Sequence, residues 1–242
     1  MNDWPEIDAV LSGESDGCII CADCLDVLPT LKYGSVDAVV TDPPYGVDLG
    51  KRPSALGKKA YESTEDTKDF VRTVAVPTIE TCRKLGARCV VWPGVRNAFE
   101  YPQPDEIGCV YCAAGIGVGR WGFTCCHPIL YYGKDPYLAV GLGSRPNSFA
   151  SSESSEKNGH PCPKPIGWML WAVERCSFKG ELIVDPFAGS GTTLVAARRL
   201  GRRYIGIEIE PKYVEIAKRR LEKTPRPMAD DSVKNKGKVS FF

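Results

Sequence analysis

The chain of 242 residues predicts an α/β fold, a doubly wound parallel sheet in one domain with an inserted stretch. Two observations carry this. Short, largely apolar runs that stop at turn residues alternate with stretches of helical spacing, the pattern of repeated strand–helix units. One such run leads straight into a glycine-rich turn that opens a helix, as strand-to-helix crossovers in open sheets do. A hydrophobic content of 43% suffices for an ordinary core.

Taken in order, Cys18 to Ala22 reads as a short strand and Asp26 to Leu31 as a helical turn. Val36 to Val40 is a buried strand, partly β-branched and stopped by Pro43 and Pro44. Gly46 to Tyr61 is loop-like. Thr67 to Leu85 has helical spacing (Phe70, Val74, Ile79, Leu85), with Pro77 expected to kink or split it. Arg88 to Trp92 is a further strand, ended by Pro93 and Gly94. The middle, 95–159, is rich in Gly, Pro, Tyr and Ser, with strand candidates at Ile107 to Ala113 and Pro128 to Tyr132. Ser144 to Gly159 is a polar, serine-rich loop, and the whole stretch reads as an insertion or recognition lobe.

Regular pattern then returns. Lys164 to Cys176 is an amphipathic helix with Pro165 near its first turn, followed by a strand at Leu182 to Val184. Thr192 to Leu200 is a helix, Tyr204 to Ile207 a strand, and Pro211 to Leu221 a helix with Pro at its first position.

Composition bounds the function. Lys and Arg number 31 against 30 Asp and Glu, so any positive field for a nucleic acid must be local. Lys51, Arg52, Lys58 and Lys59 form one such group, and Lys218, Arg219, Arg220, Lys223 and Arg226 another, although solvated surface charge explains most of them. No apolar run approaches the roughly 18 residues that span a bilayer. Met1 to Pro5 carries no basic leader pattern, so a cytoplasmic chain with its 11 cysteines reduced is expected.

Two turns carry the chemistry. In Leu182 to Thr193, Gly189 and Gly191 let the backbone fold sharply and let a ligand sit against it. The GxxxxGK[ST] phosphate loop is absent, and only one GxG pair is present. The next strand ends in Glu208, where an acid can hold a ribose diol. A glycine turn plus an acid, without phosphate-binding features, suits a nucleoside cofactor such as S-adenosylmethionine.

The other turn, Asp42-Pro43-Pro44-Tyr45, ends the strand at Val36 to Val40. An exocyclic amine on adenine or cytosine is a poor nucleophile, because its lone pair is conjugated with the ring. A carboxylate and a backbone carbonyl that both accept its N–H groups favour a more tetrahedral nitrogen. Pro44, with fixed φ and no N–H, helps aim the Pro43 carbonyl, and Tyr45 offers a face for a flipped-out base.

With these residues the chain resembles the β class of site-specific DNA amino-methyltransferases, adenine-N6 or cytosine-N4, in which the catalytic motif precedes the cofactor motif. The resemblance is carried by Cys21 to Leu25, Asp37 to Tyr45, His160 to Pro165, Asp185 to Thr193 and Arg203 to Glu208. It implies a Rossmann-like, S-adenosyl-L-methionine-dependent methyltransferase fold with circularly permuted motif order and a small recognition insertion. It implies Asp42, Pro43, Pro44 and Tyr45 at the target base, and cofactor contacts from Asp185, Phe187, Gly189, Ser190, Gly191, Thr192 and Glu208.

Asp23 matches a family acid near the cofactor's adenine, with a turn-capping role as the alternative. His160 and Lys164 fit a motif that packs beside the cofactor, or simply open the helix. Lys51, Arg52, Lys58 and Lys59 become candidate DNA contacts. Asp at the first motif position implies adenine N6 rather than cytosine N4. The implied division is a catalytic half (1–94), target recognition (95–159), a cofactor half (160–223) and a basic tail (224–242). Double-stranded DNA is the implied partner, with a possible homodimer, a restriction–modification context and a phage or prophage origin. Methylation of RNA or a protein amide, or an inactive DNA-binding module, are the alternatives.

Weaker patterns remain. Cys18, Cys21 and Cys24 invite an iron–sulfur reading but lack a fourth ligand at the usual spacing. Cys109, Cys112, Cys125, Cys126 and His127 resemble a zinc arrangement, with packed thiols the favoured reading and no metal expected. Arg120, Trp121, Tyr131, Tyr132 and Lys134 mix cations with aromatics, as nucleic-acid surfaces and ordinary cores both do.

Overall fold

The structure is a computed structural model and describes residues 4–46, 67–115, 118–156, 159 and 163–226. It opens with a helix that the sequence reading missed, α1 (Pro5–Ser12). Pro5 starts it and Gly13, at φ 84°, ends it in the left-handed conformation that glycine adopts without strain. β1 (Gly17–Cys21) leads into α2 (Cys24–Val27), which tightens into a 3₁₀ turn at Leu28–Thr30, and then β2 (Ala38–Thr41). The loop expected at Gly46 to Tyr61 lies, beyond Gly46, outside the described residues.

The helical stretch around Pro77 is split as its chemistry requires. α3 (Lys68–Phe70) widens into a π turn at Val71–Ala75 before α4 (Val76–Lys84). Proline has no N–H to continue the α ladder, and the widened turn absorbs the mismatch.

β3 (Arg88–Val91) and β4 (Glu106–Tyr111) follow, then the short strands β5 (Val118–Gly119) and β6 (Gly122–Phe123), then β7 (Cys126–Tyr132). α5 (Pro136–Ala139) and β8 (Phe149–Ala150) complete the middle. The last part alternates regularly: α6 (Ile166–Cys176), β9 (Leu182–Asp185), α7 (Thr192–Arg199), β10 (Arg203–Glu208) and α8 (Pro211–Lys223).

The main sheet runs β1-β10-β9-β2-β3-β7-β4-β8. It is mixed rather than wholly parallel, a correction to the expected topology: β7 pairs antiparallel with both β3 and β4, while the other pairings are parallel. The connection from β4 to β7 returns the chain directly through the β5–β6 hairpin, and a strand entered that way must run backwards. The middle region thus contributes β4, β7 and β8 to the sheet, and among the described residues only that hairpin forms a separate two-stranded unit.

Both faces are covered, so the central strands are apolar on each side. Val39, Val184 and Ile205 pack with Ile7, Val27 and Ile79 of α1, α2 and α4. Val40, Ile183 and Tyr204 face the other way, onto Met169, Val173, Leu194 and Ala217 of α6, α7 and α8. Each such buried side chain contributes about 1.5–3 kcal/mol. Among the described residues no helix is long and apolar enough to cross a membrane.

From β9 the chain winds outward to β10, and from β2 it winds the opposite way to β3. The crevice between β9 and β2, at the carboxyl ends of the strands, is where open sheets of this kind take ligands. Both sequence-predicted turns end there.

Candidate active site

Thr41, the last residue of β2, donates its hydroxyl to Asp185 Oδ1 at the end of β9 over 2.7 Å. The two turns therefore leave adjacent strands from a shared, buried hydrogen bond. Beyond Thr41 the prolines break the ladder, and Tyr45 folds back so that its hydroxyl donates to Asp42 Oδ1. The Tyr45 carbonyl accepts from Asn97 Nδ2 at 2.6 Å. Gly94 lies under the ring: a Cβ there would sit 2.8 Å from it, and its φ of 73° already favours glycine.

Lys164 completes the arrangement from far along the chain. Its Nζ donates to Asp42 Oδ2 at 2.6 Å and to Tyr45 Oη at 2.7 Å. The side chains are only 11% and 23% exposed for Lys164 and Asp42, so this pair is sheltered from the screening that weakens surface pairs. Asp42 is thereby oriented and partly open to the crevice, an acceptor for N–H donors rather than a stray acid. His127 sits edge-on to Trp168, their centroids 4.7 Å apart, and burial together with the Lys164 charge pulls its pKa down to about 4. It is a neutral imidazole at pH 7.

The glycine turn is held from behind. Asp185 is buried, and its Oδ1 also accepts the Phe187 N–H at 3.1 Å; burial pushes its pKa up to about 6. Ser190 and Thr192 are buried as well, and Arg220 Nη1 reaches the Ser190 carbonyl (2.6 Å) and Thr192 Oγ1 (3.0 Å). Gly191 opens α7 at φ 78°, where a Cβ would come within 2.7 Å of Ala217.

Phe187 and Gly189 face the crevice half-exposed. Glu208 closes its far side: Oε2 accepts the Gly189 N–H (2.7 Å) and Oε1 the Glu210 N–H (2.9 Å), and burial raises its pKa. Each carboxylate oxygen can accept a second hydrogen bond, as a diol requires. Asp23 follows β1 and caps α2 through Leu25 N at 2.8 Å.

The structure therefore gathers Asp42, Pro43, Pro44, Tyr45, Phe187, Gly189 and Glu208 at one crevice. Asp185, Ser190 and Thr192 stand behind it, with side chains turned to protein partners. Lys51, Arg52, Lys58, Lys59 and His160 lie outside the described residues. Arg220 stood out in the sequence only within a basic cluster read as a local positive field, not as a brace of the glycine turn. Asn97 carried no signal, and the two hydrogen bonds of Lys164 become visible only in space.

Cys109, Cys112, Cys125 and Cys126 stay close together, Cys126 against Cys109, while His127 is turned away from them. In β7 Cys126 and His127 point to opposite faces, Cys126 paired with Tyr111 and His127 with Val110. Cys24 is buried with Sγ 3.3 Å from Thr78 Oγ1, whereas Cys21 is exposed. Among the described residues no group of three or more His, Cys, Asp or Glu is placed to hold a metal ion.

Comparison with known proteins agrees with this geometry. The N6/N4 methylase family, described as DNA methylase, matches residues 90–219. The type II methyltransferase M.HpaI of Haemophilus parainfluenzae is 27% identical over 86% of this chain and 74% of its own. M2.DpnII of Streptococcus pneumoniae is 49% identical over a shorter stretch, 26% of this chain and 24% of its own. In three dimensions the chain is similar to M1.HpyAVI in its SAM complex, with a TM-score of 0.59 and 20% identity over 85% of this chain and 98% of that one. It is also similar to the cytosine-N4-specific PvuII DNA methyltransferase, with a TM-score of 0.61 and 18% identity over 90% of this chain and 88% of that one. The fold is thus that of the Rossmann-like DNA methyltransferases, and the chain belongs to the N6/N4 DNA methylase family.

Proposed function

We propose that this DNA amino-methyltransferase methylates adenine N6 in double-stranded DNA. The observation that carries the reading is the joining of the Asp42–Tyr45 turn to the Asp185–Thr192 turn through the Thr41–Asp185 hydrogen bond. Asp42, rather than a serine, at the head of the motif favours adenine over cytosine N4.

The donor set of the crevice fits S-adenosyl-L-methionine, a nucleoside without phosphates. Glu208 offers carboxylate oxygens to a diol, Phe187 and the half-exposed Ile209 offer apolar surface, and Arg220 is engaged behind the turn. When bound, S-adenosyl-L-methionine supplies the electrophilic methyl group.

The chain's own residues prepare the acceptor. A flipped-out base stacks on Tyr45, offsetting part of the few kcal/mol that unpairing costs. The Asp42 carboxylate and the Pro43 carbonyl each accept one N–H of the target amine, which draws its lone pair out of conjugation with the ring. Lys164 and Tyr45 hold Asp42 in that orientation. The surplus proton leaves the nitrogen after transfer. Residues 95–159 take the role of target recognition, and the enzyme works in the cytoplasm, where its DNA is.

The test is long-read sequencing of DNA from a methylation-deficient bacterial host expressing this chain, beside an Asp42→Ala control, with nucleosides resolved by mass spectrometry. N6-methyladenine at one motif, in the wild type only, is the expected result. N4-methylcytosine would transfer the assignment to cytosine. No modified DNA base, with folded protein present, would end the reading.

A further inference from the structure

Resting on the reading of this chain as a duplex-DNA methylase, the β5–β6 hairpin has a role of its own. β4 runs parallel to β3, so the link from β4 to β7 emerges at the same carboxyl edge of the sheet as Asp42. β2 and β4 are three strand spacings apart, which puts the hairpin's root roughly 14 Å from the catalytic turn. That span is close to the width of the DNA major groove, about 12 Å.

The hairpin presents what a soluble surface ordinarily hides. Trp121 at its tip is 102% exposed, and Val118 and Phe123 on its strands are 77% and 75% exposed. Its charge is one-sided. From Cys112 to Cys126 the sequence contains Arg120 and no acidic residue. A second projection on the same edge, after β3, repeats the pairing of cation with aromatic: Arg96 is exposed and Phe99 is 97% exposed. Apolar rings beside arginines, with no carboxylate on the hairpin and the Glu100 carboxylate beside Phe99 paired with Arg72, suit a polyanion that also offers apolar faces between its charges. Stacked DNA is such a partner.

We infer that the β5–β6 hairpin enters the duplex beside the target base, and that Trp121 fills the stack the flipped base vacates. Arg120 holds the neighbouring phosphates, and the Arg96–Phe99 projection braces the duplex on the catalytic side. A fully exposed tip residue contributes nothing to the fold, so its removal leaves a folded enzyme with a costlier flip.

The experiment uses a duplex carrying the site that the wild-type enzyme modifies, once correctly paired and once with the target base mispaired. Methyl transfer is measured for the wild type, Trp121→Ala and Trp121→Phe, with thermal melting to verify folding. The expected result on the paired duplex is a fall in kcat/KM of about 10- to 100-fold for Trp121→Ala, with Trp121→Phe retaining most activity. On the mispaired duplex, where flipping costs less, Trp121→Ala recovers to within about threefold of wild type. Equal rates on the paired duplex overturn the inference, and so does a loss that mispairing fails to rescue. A wild-type dimer that Trp121→Ala dissociates would make the hairpin a subunit contact and equally overturn it. If the wild type methylates no DNA, the underlying reading fails and takes the inference with it; active wild type with an indifferent variant sinks the hairpin alone.

Discussion

The glycine turn and the proline turn leave neighbouring strands, yet they are held in opposite ways. In the glycine turn the polar side chains face inward: Asp185 on Thr41 and Phe187 N, Thr192 and the Ser190 carbonyl on Arg220. What meets the crevice there is backbone, a phenyl ring and one carboxylate. In the proline turn the polar side chains face outward, and Asp42 and Tyr45 are kept in place by Lys164 and Asn97, which arrive from other parts of the chain. A pocket for a constant cofactor can be cut into a rigid wall, whereas a pocket for a base that must swing in needs groups held from outside. Stability and chemistry should therefore separate between the two turns.

The sharpest break of that contrast is Asp42→Ala. Loss of the amine's acceptor should lower the single-turnover rate by about 10²- to 10³-fold. Urea denaturation should move by about 1–3 kcal/mol at most, since Lys164 loses its carboxylate but keeps the Tyr45 hydroxyl.

Asp185 should behave in reverse. Its folded pKa is raised to about 6, so its contribution to stability is full below the unfolded carboxylate value and is lost as pH rises through about 6. Subtracting the stability of Asp185→Asn from that of wild type should give a difference that declines from pH 4 to pH 7, by roughly 3 kcal/mol at most. His127, with its pKa lowered to about 4, opposes this trend in the same window, since its contribution is lost as pH falls. The subtraction is needed because of that cancellation; a flat difference would mean Asp185 titrates normally.

Thr41→Val keeps the shape of the side chain but leaves the buried Asp185 a donor short, at a cost of about 1–3 kcal/mol by chemical denaturation. Its methyl-transfer rate per folded molecule should change less than tenfold. Lys164→Met should do the opposite, lowering kcat by roughly tenfold with KM for DNA nearly unchanged, and Lys164→Arg should restore part of the rate. The smallest effect belongs to Asp23→Ala, about 1 kcal/mol from the lost helix cap. An unchanged KM for the methyl donor in that variant would make Asp23 a cap alone.

What was legible in the sequence was local. The prolines after Thr41 and the glycines after Asp185 announce their turns because backbone geometry is a property of those residues. The apolar runs announce β2, β9 and β10 for the same reason. The direction of β7 could not be read, since it depends on which strand β7 meets. Nor could the orientation of Asp185, decided by a hydroxyl 144 positions away, or the clamp of Lys164 on Asp42, 122 positions away. α1 was readable after the fact: Pro5 and Gly13 bracket it, and Ile7 and Val10 mark its buried face.

The strand order has a further consequence, for how the chain is made. β1 and β2 are consecutive in the sequence but lie three places apart, with β10 and β9 between them. A nascent chain that has not yet reached Leu182 thus holds two strands with open edges and nothing to join them. Such edges invite wrong partners, and closing them demands contacts across nearly the whole length of the chain. Synthesis in chain order cannot build this sheet from one side to the other; β9 and β10, made after β1 and β2, are the strands that bring those two together. Until they arrive there is no crevice, so an unfinished or truncated product has no means of marking DNA.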